Sequence, residues 1–185
     1  MKTQVWAHRG ASAYAPENTL EAFRLAAEMG ADGVELDVQL SRDGELVVAH
    51  DETIDRVSNG TGYIKDYTLA QLKELSFNRL FPAFKDARIP TLKEVYELLK
   101  PAGLTVNVEL KTGIILYPEI EEKVLALTAS MGMEDRVIYS SFCHPSLVRL
   151  KELNSGLKTG LLYSDGWIGA ADYGRRTVGG DALHP

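Results

Sequence analysis

Thiols and imidazoles are scarce in this chain of 185 residues, which has one cysteine, Cys143, and four histidines. A single cysteine cannot form a disulfide within the chain, so no cross-linked scaffold is expected and a cytoplasmic location is favoured. With so few thiols and no cluster of histidines, we expect no structural zinc site. Long apolar runs are absent too, and Met1 to Trp6 lacks the basic head and apolar core of an export signal. We therefore expect no stable membrane insertion.

Basic residues are outnumbered, with 20 Lys and Arg against 26 Asp and Glu and a formal net charge of −6. Sequence-independent binding to nucleic acid or to an anionic membrane needs a basic stripe, so neither partner is expected. A small-molecule substrate fits this balance better. The length and the 45% hydrophobic content suit one domain over residues 1–185. A homo-oligomer stays open.

Short β-rich segments alternate with helical ones, which is typical of a parallel α/β sheet. From this pattern alone, an eight-stranded barrel and an open doubly wound sheet are both possible. The stretch of about residues 51–88 breaks the alternation, and we interpret it as an insertion after the third strand. Strands are predicted near residues 3–7, 33–38, 45–49, 105–110, 136–140, 158–162 and 181–184.

Capping residues mark the predicted helix boundaries. Asn18 is placed to cap a first helix, with Glu21 reaching back to it and Gly30 providing a left-handed exit. Two later helix starts follow the same rule, at Thr68 with Gln71 and at Thr91 with Glu94.

Two carboxylates share one face of the strand Gly33–Val38, because side chains alternate across a strand and Glu35 and Asp37 are two residues apart. Both faces of a parallel sheet are normally covered, so this pair would be costly to bury unless a cation neutralised it. The alternative is an amphipathic edge strand whose acidic face is simply hydrated. Both interpretations are open at this point.

A second strand repeats the pattern, with Asn107, Glu109 and Lys111 on one face. A surface ion pair would also explain an acid beside a base. However, charges near the carboxyl ends of two strands fall where α/β active sites lie. Together with Glu35 and Asp37, Glu109 would offer three carboxylates, which suit a hard ion such as Mg²⁺ or Ca²⁺.

His8 and Arg9 directly follow one predicted strand, and His50 directly follows another. Imidazole titrates near neutrality, so one histidine could accept a proton from a nucleophile while the other protonates a leaving alkoxide. A histidine at a strand end is often only a cap or a packed ring. Arg9 adds a planar fork that matches phosphate oxygens, and Lys111 adds a second positive charge. These residues indicate recognition of an anion.

The ordered motifs resemble the signature of glycerophosphodiester phosphodiesterases: His8-Arg9-Gly10, Pro16-Glu17-Asn18-Thr19, Glu35-Leu36-Asp37, His50-Asp51 and Glu109-Leu110-Lys111. The resemblance implies a (β/α)8 TIM barrel with a small insertion after strand 3. It also implies that Glu35, Asp37 and Glu109 bind a divalent metal, Mg²⁺ or Ca²⁺, that His8 and His50 are catalytic, and that Arg9 and Lys111 bind the substrate phosphate. The implied reaction is metal-dependent hydrolysis of glycerophosphodiesters to sn-glycerol 3-phosphate and an alcohol.

One departure concerns the end of the chain. Members of this family continue past the His-Pro of the seventh strand into an eighth, whereas this sequence ends at His184-Pro185. We therefore expect a barrel truncated before its eighth strand. Two other functions stay open: a phospholipase-like phosphodiesterase of the phosphoinositide or sphingomyelin type, and a noncatalytic phosphate-binding barrel. The sequence does not assign the acid and the base between the two histidines.

Overall fold

The computed structural model describes residues 3–185. Within them the strands are β1 (Trp6–His8), β2 (Gly33–Leu40), β3 (Leu46–Val48), β4 (Thr105–Leu110), β5 (Val137–Ser141), β6 (Thr159–Leu162) and β7 (Ala182–His184). The helices are α1 (Leu20–Glu28), α2 (Leu69–Glu74), α3 (Leu92–Ala102), α4 (Ile120–Ser130), α5 (His144–Leu153) and α6 (Ala170–Tyr173), which continues into a π-helical turn, Gly174–Val178. All seven predicted strands are present, and the largest shift is at β1, predicted from residue 3 and observed from Trp6. Across the described chain, no helix has the length and apolar character needed to cross a bilayer.

Six strands run parallel in the spatial order β1-β2-β4-β5-β6-β7. Within this row of six strands, the spatial order follows the order along the chain without a reversal. A doubly wound sheet needs such a reversal, and its ligand crevice forms there. That alternative is therefore wrong, and the winding is the one that a (β/α) barrel uses.

The strand β3 departs from the parallel pattern that the sequence predicted. It pairs antiparallel with the end of β2, where Val48 lies opposite Val38 and Leu46 opposite Leu40. A parallel crossover needs a dozen or more residues, whereas only the short turn of residues 41–45 separates β2 from β3, so the two strands form a hairpin. Strand β4 pairs along one edge of β2. The opposite edge of β2 is shared by two strands: β1 pairs with the start of β2, and β3 pairs with its end.

The main core lies between the sheet and its helices. Alternate residues of β2, namely Val34, Leu36 and Val38, are fully buried and pack in one cluster with Phe23 of α1 and Tyr96 of α3. Removing each such side chain from water contributes about 1.5–3 kcal/mol to folding. The opposite face of β2 is the polar one, so the alternation predicted from sequence separates core from site.

The segment between β3 and α3 has a smaller apolar cluster of its own. Its buried members include Ile54, Ile64, Leu72 and Phe77. The segment is joined to β3 through Val48, whose backbone N–H donates to the Pro90 carbonyl at 2.9 Å. Arg56, near the start of the segment, donates to Glu17 of the loop that precedes α1 at 2.8 Å.

Two of the three predicted helix starts are confirmed. Reciprocal capping boxes join Thr68 with Gln71 and Thr91 with Glu94. The prediction for α1 is wrong by one residue: Thr19 is the N-cap, and its side chain accepts from the Ala22 N–H at 3.3 Å. Asn18 instead turns away from the helix and donates to the side chain of Asp37.

Candidate active site

Three carboxylates converge on the polar face of the sheet. Asp37 of β2 lies directly opposite Glu109 of β4 in the parallel register, and Glu35 precedes Asp37 by two residues on the same face. One oxygen from each of the three side chains lies within 4.8 Å of the others. Residues that are more than 70 positions apart in sequence, Asp37 and Glu109, thus meet because their strands pair.

This face is buried, so the alternative of a hydrated acidic edge is wrong. Asp37 is 0% exposed and Glu109 is 7% exposed. Burial, followed by the charges of Asp37 and Glu109, raises the pKa of Glu35 from 4.5 to about 8. Burial and the charge of Asp37 also raise the pKa of Glu109. The cluster therefore resists full ionisation unless positive charge is brought to it.

Two basic side chains flank the carboxylates. Lys111 Nζ lies 3.1 Å from Glu109 Oε1 and 3.8 Å from Asp37 Oδ1. Arg9 Nε lies 3.7 Å from Asp37 Oδ2. The backbone of Arg9 is left-handed, with φ +58°, and its N–H donates to Glu35 Oε2 at 3.1 Å. The predicted anion-binding residues therefore reach the same cluster as the predicted metal ligands.

The two predicted histidines reach the site along different paths. His8 ends β1, and its Nε2 lies 3.8 Å from Glu35 Oε2 while 69% of its side chain remains exposed. Burial and the charge of Arg9 lower the pKa of His8, and His50 acts in the same direction. His50 follows the antiparallel strand β3, so it does not lie at the carboxyl end of a parallel strand as the sequence predicted. The β2–β3 hairpin brings it to the site instead, because the Ala49 N–H donates to the Asp37 carbonyl at 3.0 Å and so returns the chain to the acidic residues.

The position of His50 is held by a residue that the sequence reasoning missed. Gln39 continues the polar alternation of β2, and its Nε2 donates to the carbonyls of Ala49 at 2.9 Å and Asp51 at 2.7 Å. Its Oε1 accepts from the Tyr117 hydroxyl at 2.9 Å. The signal was available, since Gln39 lies two residues beyond Asp37 on the same face.

The residues present fit a divalent cation. All three converging donors are carboxylates, the ligands that hard ions prefer. Asp37 Oδ1 is buried without a hydrogen-bond donor among the described residues, although a buried carboxylate oxygen normally has a partner. A cation beside this oxygen would satisfy it and would offset the charge that raises the pKa of Glu35.

Residues 8–184 match the model of the glycerophosphoryl diester phosphodiesterase family. The chain belongs to this family. A glycerophosphodiester phosphodiesterase of Caldanaerobacter subterraneus subsp. tengcongensis is 53% identical over 169 residues, which cover 91% of this chain and 70% of that protein. Another, from Bacillus altitudinis, is 42% identical over 185 residues, covering 99% of this chain and 75% of the relative. The resemblance inferred from the motifs, and the assignment to this class of enzymes, are confirmed.

Solved structures of family members have the same fold. A glycerophosphodiester phosphodiesterase from Thermotoga maritima is 35% identical and matches 100% of this chain and 74% of its own, with a TM-score of 0.79. A phosphodiesterase from Oleispira antarctica, solved in complex with the product sn-glycerol-3-phosphate, is 33% identical and matches 98% of this chain and 74% of its own, with a TM-score of 0.85. These matches confirm a curled parallel sheet of the TIM-like α/β type.

Proposed function

We propose that this chain hydrolyses glycerophosphodiesters to sn-glycerol 3-phosphate and an alcohol, and that Glu35, Asp37 and Glu109 hold a divalent cation for this reaction. One observation carries the proposal: three carboxylates, two of them buried, lie together with His8 and Arg9 in a member of this family. His50 is near enough for its charge to act against the rise in the pKa of Glu109 that burial causes. The product bound by the Oleispira antarctica relative supports a glycerol phosphate group as the recognised part of the substrate.

The phosphate is held by positive charge. Arg9 presents a planar fork that matches two phosphate oxygens, and Lys111 contributes a compact charge on the other side of Asp37. A bound divalent cation, Mg²⁺ or Ca²⁺, would supply Lewis-acid stabilisation of the charge that develops on the phosphate oxygens. Because the carboxylates would be neutralised by that ion, Arg9 and Lys111 would be released from them to bind the substrate.

His8 and His50 manage the protons. One imidazole removes the proton from the attacking glycerol hydroxyl as the new P–O bond forms, and the other protonates the oxygen of the departing alcohol as its P–O bond breaks. Water then opens the resulting cyclic phosphate with the two proton-transfer roles reversed, which gives glycerol 3-phosphate. The lowered pKa of His8 favours its neutral form at pH 7, in which it can accept a proton.

The decisive experiment is a hydrolysis assay on glycerophosphocholine, with release of glycerol 3-phosphate as the readout. Turnover should require Mg²⁺ or Ca²⁺ and should stop when a chelator is added. His8→Ala and His50→Ala should each lower kcat by about 10²-fold to 10⁴-fold without a change in the melting temperature. Full turnover in chelator would remove the cation from the mechanism.

Two further arms test the alternatives. Faster cleavage of an intact phospholipid than of glycerophosphocholine would favour the phospholipase-like function. Thermal stabilisation by glycerol 3-phosphate without any turnover would favour the noncatalytic barrel. The truncation of the (β/α)8 barrel before its eighth strand, the insertion over residues 51–88, the single domain, the cytoplasmic location and a homo-oligomer stay predictions.

A further inference from the structure

Arg56 lies in the segment after β3 and bridges two carboxylates from different parts of the chain. Its Nε donates to Asp51 Oδ2 at 2.7 Å, and an Nη donates to Asp51 Oδ1 at 3.2 Å. Its two Nη atoms each donate to Glu17 at 2.8 Å, across 39 residues of sequence. Four of the five N–H donors of the guanidinium are therefore used in two bidentate pairs.

Each of these carboxylates has a second partner in the active site. Asp51 Oδ1 lies 2.6 Å from His50 Nδ1. Glu17 Oε1 accepts from an Nη of Arg9 at 3.0 Å. Two short chains of hydrogen bonds thus start at Arg56, one ending at a proposed acid–base histidine and the other at the proposed phosphate-binding arginine.

We propose that Arg56 is a positioning residue for the phosphodiesterase reaction, which sets the imidazole of His50 through Asp51 and the guanidinium of Arg9 through Glu17. This inference rests on the proposed function. Among the described residues, Arg56 forms no hydrogen bond or ion pair with the carboxylate cluster, so it acts through its neighbours. The segment after β3 thereby contributes to catalysis by positioning His50 and Arg9, although Arg56 does not itself react.

The geometry explains why a guanidinium is needed at this position. With Asp51 holding Nδ1, the ring nitrogen that remains for the substrate is Nε2, so the orientation of the ring depends on where Asp51 lies. Without Arg56, the negative charges of Asp51 and Glu17, which both contact its guanidinium, would repel each other. An ammonium group carries the same charge but lacks the fork that engages both carboxylates in two bonds each.

The charges of the network are consistent with this arrangement. Burial acts to raise the pKa of Asp51, but hydrogen bonds from Arg56 and His50 outweigh it and hold the value at about 2. Burial likewise opposes ionisation of Glu17, and Arg56 and Arg9 together lower its pKa. Both carboxylates are thus ionised at neutral pH and can accept hydrogen bonds from Arg56, His50 and Arg9.

The test compares Arg56→Gln and Arg56→Lys with a matched control, Arg149→Gln. Arg149 also pairs with a carboxylate, Glu122, through two nitrogens at 3.0 and 2.6 Å, but this exposed pair joins α5 to α4. Each Arg56 variant should lose about 10-fold to 100-fold in kcat. The affinity for glycerol 3-phosphate, measured by calorimetry, should also fall, because Arg9 loses its orientation. Arg149→Gln should match the wild type in both measurements.

Chemical rescue separates positioning from general stability. Guanidinium at millimolar concentration should restore part of the turnover of Arg56→Ala, whereas the same concentration of NaCl should not. Wild-type kcat and product affinity in Arg56→Lys, which keeps the charge and should fold, would overturn the proposal. A wild-type enzyme without turnover would instead refute the proposed function, so the two failures can be told apart.

Discussion

Asn18 Nδ2 donates a hydrogen bond of 2.8 Å to Asp37 Oδ2, although Asn18 directly precedes a helix start where its side chain could have capped the helix. The residue is 3% exposed, and its backbone is left-handed with φ +56°. Its own N–H donates to the carbonyl of Arg9 at 3.0 Å. The loop before α1 therefore contributes a neutral donor to the acidic cluster and is tied to the turn that carries Arg9.

We expect Asn18→Asp to destabilise the metal-free protein by about 2–3 kcal/mol, because it removes a charge-assisted hydrogen bond and adds a carboxylate beside Asp37. Asn18→Gly is the matched control, since it also removes the donor but adds no charge and relieves the left-handed backbone. Urea denaturation at about pH 8 should therefore rank the free energy of unfolding as wild type, then Asn18→Gly, then Asn18→Asp. Equal stability of the two variants would show that charge repulsion at Asp37 is unimportant.

The raised pKa of Glu35 predicts how the stability of the metal-free protein depends on pH. Below pH 4.5 this carboxyl is protonated in both states, and between pH 4.5 and about 8 only the folded state keeps the proton. The stability that this bound proton contributes is fully present below the pKa of Glu35 in the unfolded state. It is lost as pH rises through the pKa of Glu35 in the folded state. The free energy of unfolding should therefore fall across this window, and the apparent affinity for a divalent cation should rise.

Glu35→Gln isolates this contribution from that of the histidines. Denaturation of the metal-free wild type should become easier between about pH 6 and about pH 8.5, relative to the variant measured in parallel. Calorimetry of Mg²⁺ or Ca²⁺ binding to the wild type near pH 7 should show proton release. Parallel stability curves for the two proteins would contradict the pKa of about 8 that burial produces.

Gly10 and Gly30 form a second matched pair. Both have left-handed backbones, with φ of +77° and +78°, but a Cβ at Gly10 would lie 2.7 Å from the Ala22 carbonyl carbon, whereas one at Gly30 would meet nothing within 4 Å. Gly30→Ala should cost about 1–2 kcal/mol of stability from the backbone alone. Gly10→Ala should cost more and should also lower kcat, because the turn that follows His8 and Arg9 would be pushed away from α1.

Denaturation curves and turnover of both variants check this prediction. If Gly10→Ala and Gly30→Ala lost the same stability and both kept wild-type turnover, close packing of this turn against α1 would have no role in the site.

Local chemistry was sufficient for much of the architecture. The positions of seven strands and two capping boxes followed from periodicity and from short-range donors and acceptors. The direction of β3 did not follow, because a strand pattern is the same in either orientation and only the short turn after β2 forces a hairpin. Asn18 was misassigned for a similar reason: a helix start offers two adjacent capping residues, and the nearby Asp37 decided which one turned inward.

The amino-acid sequence by itself determined which side chains share a face, since strand alternation places Glu35 and Asp37 together whatever surrounds them. It also determined the family, through the order of its motifs. Only the tertiary structure decided which atoms meet: the register that sets Asp37 opposite Glu109, the hairpin that returns His50, and the bridge from Arg56 to Glu17. Those contacts depend on strand pairing and loop paths over tens of residues, and no local pattern encodes such distances.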